Sequence, residues 1–202
     1  MIKCNLKILT TLFIVGLLYC GCMRQDSSAK YDQLVKSELA GGKRADSIFW
    51  GIHFGMTGKE FFAYCWEMNK KGLFTDGESN TAVLYRLDHN ELNYPACMNF
   101  YPDFNNNRIT KMGATFKYDG WAPWNKQMFS DKLLVDVLHL YRKWYPAGNP
   151  FLEIKKPGKN TIYVKVDGNR RIILGIQNDM SVKADYTDLG VGKQFKKSNG
   201  NQ

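Results

Sequence analysis

The chain has 202 residues, 44% hydrophobic and 14% aromatic, with a formal net charge of +9. That size and apolar content suit one domain or two small halves with a packed core. The basic excess suits nucleic acid, anionic head groups or acidic glycans, but its lysines and arginines are scattered, apart from short clusters such as Lys155-Lys156 and Arg170-Arg171. A generally solvated surface accounts for that pattern.

Lys3 and Lys7 give the chain a positive start, Ile8 to Leu18 is apolar apart from Thr10 and Thr11, and the sequence turns polar after Cys22. This is the order of charged, apolar and cleavage regions in a secretory signal. The apolar run is about half the roughly 20 residues of a membrane-spanning helix, which argues against a permanent span. The stretch "VGLLYCGCMRQDSS" resembles the lipobox of bacterial lipoproteins. Gly21 gives Cys22 the small preceding residue that the site needs, whereas Cys20 follows the bulky Tyr19. The resemblance therefore implies a signal over residues 1–21 and a lipid on Cys22; an ordinary cleaved signal with incidental cysteines is the alternative. Each buried methylene adds roughly 0.8 kcal/mol of membrane affinity, so two or more chains anchor stably. Met23, in place of an inner-membrane Asp, points by analogy to the outer membrane. An exported address argues against a nucleic-acid partner.

Residues 22–46 are polar, contain Gly41-Gly42, and read as a tether, with a short helix possible over Tyr31 to Ala40. The folded part, residues 47–189, opens with a strand over Ile48 to Phe54. Thr57 then caps a helix, with Glu60 completing a capping box and Met56 and Phe61 the hydrophobic staple. Phe61, Phe62, Cys65 and Trp66 share its apolar face, and Gly72 stops it.

Strands are expected over Thr81 to Leu87, around Ala96, Met98 and Phe100, and over Arg108 to Tyr118, where Met112, Ala114, Phe116 and Tyr118 alternate. Asn105-Asn106-Asn107 has hairpin-turn chemistry. Ser130 caps a second helix with an apolar stripe of Leu133, Leu134, Val137, Leu138, Tyr141 and Trp144, ended by Pro146. Four strands follow, over Phe151 to Lys155, Thr161 to Val166, Ile172 to Ile176 and Ser181 to Tyr186. The pattern predicts an α+β fold of two helix-plus-antiparallel-strands units, 47–120 and 121–189, with the helices packed on one face of the sheet. Residues 190–202 read as a disordered tail.

At "FGMTGKEF" the strand, Gly55-Met56-Thr57 and helix resemble the opening of the SmpA/OmlA lipoproteins, small accessory subunits of outer-membrane β-barrel assembly. They also resemble the related fold of the β-lactamase inhibitor protein. Glu60-Phe61 replaces the usual Gln-Val of that family, and the match covers about 25 residues. The resemblance implies a role in binding or assembly.

Reactive groups do not converge. His53, His89 and His139 have no carboxylate or cysteine at a telling spacing, and no cofactor or metal motif is present in the sequence. Asp76 with Glu78, or Asp88 with Glu91, are the carboxylate pairs a hydrolase could use. Once the signal is removed, Cys65 and Cys97 are the two cysteines besides Cys22; they could form a disulfide, although Cys65 falls on a helix face where free Cys packs as a small apolar residue. In "KYDGWAPWNK", Tyr118, Trp121 and Trp124 are candidate binding residues, suited to anchoring a protein partner or stacking on sugar rings; their rings could instead fold inward. The expectation is a lipid-anchored, non-catalytic interaction or scaffolding module of the envelope, with an envelope protein as partner. A glycan-binding lipoprotein is the alternative, and a hydrolase a third reading.

Overall fold

The computed structural model describes residues 27–78, 81–155 and 158–191. The signal, Cys22 and the tail beyond Val191 lie outside these residues. In chain order the elements are α1 (Ser27–Ala40), β1 (Ser47–Phe49), β2 (Ile52–His53), α2 (Gly58–Lys70), β3 (Phe74–Asp76), β4 (Val83–Leu87), β5 (Ala96–Asn105), β6 (Arg108–Tyr118), α3 (Ser130–Trp144), β7 (Leu152–Ile154), β8 (Ile162–Asp167), β9 (Arg170–Asn178) and β10 (Ser181–Asp188).

Eight strands form one antiparallel sheet in the order β3-β4-β5-β6-β10-β9-β8-β7. Read inward from either edge, each half is a helix followed by a four-stranded meander, and the two halves join along their last strands. The fold is α+β, with α2 and α3 on one face over the main core. Ala114 lies opposite Ala184 at the seam, and α3 crosses it in contact with β6, β9 and β10. Small side chains there let the helix approach closely. Both sheet edges are strands of three residues, a length that limits edge-to-edge pairing with other chains.

The start of α2 follows the sequence closely. The Glu60 N–H donates to Thr57 Oγ1 and the Thr57 N–H donates to Glu60 Oε2 at 2.7 Å, so the capping box is complete. Met56 and Phe61 are both buried, as a staple requires. The tip of the β5–β6 hairpin turns with Asn106 and Asn107 at positive φ, and Asn107 Oδ1 accepts from the Gly58 N–H. The hairpin thus also caps the helix.

Several expectations need correction. The strand expected over Ile48 to Phe54 is a two-residue hairpin, because Trp50 and Gly51 both have positive φ and turn the chain between Phe49 and Ile52. On α2 the buried side is Phe61 and Met68 with Tyr64 and Cys65 partly covered, whereas Phe62 and Trp66 are 55% and 63% exposed. Ser130 is the first residue of α3 and not its cap. The cap is Phe129, which offers no side-chain acceptor, and the Ser130 N–H donates to the Asp179 carbonyl in the β9–β10 turn.

The expected tether is, from Ser27 onward, part of the folded body. Tyr31, Leu34 and Val35 of α1 pack on Ile154, Val164 and Val166, on the sheet face opposite α2 and α3. Glu38 accepts from the Gly168 N–H and from Asn149 Nδ2. Beyond the helix, the Ala45 N–H donates to Asn169 Oδ1, and Arg44 bridges Asp46 and Asp188. Gly168, at φ +55°, is required here: a Cβ on it would stand 2.3 Å from the Lys43 carbonyl oxygen.

Candidate functional site: the open face of the sheet

Strand alternation sends every second side chain to the face opposite α2 and α3. The register lays these residues out in rows: Asn99–Thr115–Lys183, Tyr101–Gly113–Asp185 and Asp103–Lys111–Thr187. Continued into β9 and β8, the rows reach Ile173–Val164 and Arg171–Val166, and there α1 covers the sheet. The difference is chemical. The β7–β8 half presents apolar side chains and carries a helix. The half around β5, β6 and β10 presents amides, hydroxyls and charges, which tolerate water and need no cover.

The uncovered half encloses a concavity of about 660 Å³. Gly113 places no side chain between Tyr101 and Asp185, which leaves the floor low. Lys183 pairs with Asp185 at 2.9 Å, and Asn99 Oδ1 accepts from the Glu78 N–H, so the rim is ordered by its own contacts. Both charge signs are present, with Lys111, Lys183 and Arg171 facing Asp103 and Asp185. Tyr101 is 40% exposed. Its ring meets Phe61 edge-on at 6.0 Å, so one side of the phenol is held by the α2 layer and the other is free.

A second hollow, of about 690 Å³, adjoins the first and shares Thr81, Ala82 and Tyr101 with it. Phe62 and Trp66 form its aromatic wall, and Thr75 and Asp76 of the edge strand its polar one. Together the two hollows form a continuous surface with exposed aromatic rings at one end and mixed charges at the other. Such a surface can bury aromatic area and satisfy polar groups at once, as protein interfaces do.

The residues expected from the 117–126 stretch divide. Tyr118 is a correction. It is 1% exposed, and its hydroxyl donates to Asp136 Oδ2 at 2.7 Å deep under the loop. Burial and that neighbouring carboxylate hold its phenol well above the usual tyrosine range. Trp121 is half-buried against Phe129, with its Nε1 enclosed. Trp124 alone stands out into solvent, 84% exposed. The structure therefore does not bring the three rings together on one platform.

The Cys65–Cys97 disulfide is also corrected, since both are free thiols. Cys65 lies on α2 against the main core, while Cys97 lies across the sheet, on the open face with its Sγ directed to the Lys117 carbonyl. Burial pushes the Cys65 thiol up to about 11 and raises Cys97 as well, so neither is a ready thiolate. His89 and His139 border one polar hollow with Glu91 and Asp136. Asp136 is saturated by Tyr118 and by the N–H and Nδ2 of Asn93, and it serves to pin the 88–95 loop to α3. Glu91 accepts from the Tyr85 hydroxyl, and burial raises its carboxyl above the ordinary range. Among the described residues no group of three or more His, Cys, Asp or Glu side chains could hold a metal ion, and no described helix is long and apolar enough to cross a membrane.

The open-face residues are not legible in the sequence, because single polar positions on alternating strands look like ordinary solvent-facing ones. The signal that existed was the run of such positions across β5, β6 and β10, which becomes a site only once the strand order is known. The chain matches no protein-family description, no curated protein and no solved structure.

Proposed function

We propose that this chain is an exported envelope protein, anchored through a lipid on Cys22, that acts as a non-catalytic protein-interaction module. The uncovered half of the sheet is its binding surface. One observation carries this reading: α1 covers the apolar half of that face, while the other half keeps a concavity of about 660 Å³ with Tyr101 at its border and charges of both signs within it. Tyr is over-represented among the few residues that dominate binding energy at interfaces. The likeness of Gly55-Met56-Thr57 to the opening of the SmpA/OmlA lipoproteins points the same way, toward an assembly partner in the outer membrane.

The test is photo-crosslinking of the intact lipoprotein in its native envelope, with the reactive group placed at Thr115 on the floor of the concavity. One stoichiometric protein adduct supports the reading. Adducts that appear equally from a probe at Lys132, on the far side of the molecule, would remove the open face from it.

A glycan-binding reading keeps one specific observation, the exposed indole of Trp124. Free oligosaccharide that competes with envelope binding would favour it.

A further inference from the structure

The expected tether and the observed helix differ in a way that limits how far the body can sit from an anchor at Cys22. As an extended chain, residues 22–46 could carry the domain roughly 80 Å from its anchor, at about 3.5 Å per residue. In the structure the chain is helical from Ser27 and meets the sheet from Tyr31 onward. From there α1 is fastened by its apolar contacts, by Tyr31 accepting from Arg171 Nη1 at 3.0 Å, and by Glu38 at Gly168 and Asn149. The Arg44–Asp188 and Ala45–Asn169 contacts hold the segment that follows. Five residue steps separate Cys22 from Ser27, a reach of at most roughly 18 Å. A domain of this size is roughly 40 Å across, so the leash is shorter than the body it holds.

We infer that the N-terminal end of α1, around Ser27 to Tyr31, lies at the bilayer surface. The inference rests on the anchoring of Cys22 in the proposed function. The occupant of this surface is a lipid head-group layer, argued from the length of chain between anchor and helix. The chemistry of the helix agrees: Lys30 and Lys36 are exposed on it together with Asp32 and Gln33, and exposed lysines near an anionic leaflet are attracted to it within a Debye length. Phe62 and Trp66, on α2, are exposed and are not part of α1.

The experiment uses the full-length acylated protein, purified from membranes and reconstituted into phosphatidylethanolamine–phosphatidylglycerol vesicles containing a head-group diazirine phospholipid. After illumination, the labelled peptides are mapped by mass spectrometry, and flotation reports vesicle binding separately. The expected result is label concentrated in residues 27–36 and at least several-fold less over Phe62 to Trp66. Insertion of about 20 Gly and Ser residues between Asp26 and Ser27 should cut the label on α1 several-fold while flotation is unchanged. A protein that floats but carries no label on α1, or equal label on the Phe62–Trp66 side, or labelling indifferent to the insertion, overturns the inference and leaves the anchor standing. A protein that does not float overturns the anchor itself, and the inference with it.

Discussion

The backbone N–H of Gly168 donates to the Glu38 carboxylate at 2.6 Å although 130 positions separate the two residues. Gly168 is buried in the β8–β9 turn, and Glu38 also accepts from Asn149 Nδ2 at 2.8 Å. Replacing Glu38 by Ala leaves that buried N–H without a partner, at a cost of about 1–3 kcal/mol. In a domain of this length each kcal/mol lowers Tm by about 2–4 °C. Hydrogen exchange should show α1 opening before the sheet does. An unchanged Tm together with full protection of α1 would mean that apolar packing alone docks the helix.

Leu138 is buried on the sheet-facing stripe of α3. Leu138→Ala should cost about 2–5 kcal/mol, the sum of lost transfer energy and a residual cavity. Denaturant unfolding measures it, and a change below about 1 kcal/mol would contradict close packing beneath this helix.

The two thiols give a chemical test. The intact mass of the described domain should not change by two hydrogens on reduction, and both cysteines should alkylate slowly in the native state at pH 8. Burial favours the neutral thiol of Cys65 in the folded protein, raising its pKa from the ordinary 9.0 to about 11. The stability this group contributes is therefore complete below pH 9 and disappears as pH rises through 11. Cys65→Ser should abolish that part of the alkaline loss, whereas Cys65 alkylating as fast as a model thiol would contradict its placement.

At the acid end the sign reverses. Arg44 holds the Asp46 carboxyl below the ordinary carboxylate range, and a hydrogen bond from Asn169 acts in the same direction. Glu60 is lowered by the Thr57 N–H. Groups depressed in the folded state contribute stability that is present above the unfolded pKa and is lost as pH falls through the folded one. Stability should therefore decline below about pH 4. Asp46→Asn should flatten that decline, as followed by Tm across pH 2 to 6, and a parallel curve for the variant would show that the Arg44 contact contributes nothing.

The legible parts of the fold were those written in local chemistry. Thr57 and Glu60 announce a helix start, Asn106-Asn107 a hairpin, and the Leu133–Tyr141 stripe a packed helix; β6 begins and ends at the residues its alternation predicts. Tyr118 belongs to the same alternation as Met112, Ala114 and Phe116, which implies its burial, whereas its proximity to Trp121 and Trp124 suggests a binding loop. What could not be read is tertiary. A stripe as wide as Phe61, Phe62, Cys65 and Trp66 does not say which of its flanks meets the sheet. The polar composition of residues 27–46 hides three apolar contacts and a set of long-range polar ones. The open face exists only because β6 pairs with β10, a pairing between residues 64 or more positions apart in the chain that no local pattern encodes.

The central claim is that the uncovered sheet face binds the partner, and the most direct test compares two single variants in native-envelope capture. Tyr101→Ala should remove at least 2 kcal/mol of binding, roughly a thirty-fold loss of affinity, if it is a dominant contact. Trp124→Ala, which alters only an exposed indole, should leave capture and Tm unchanged. Capture that survives the loss of Tyr101 but fails with Trp124→Ala would contradict the account and move the site to the loop before α3.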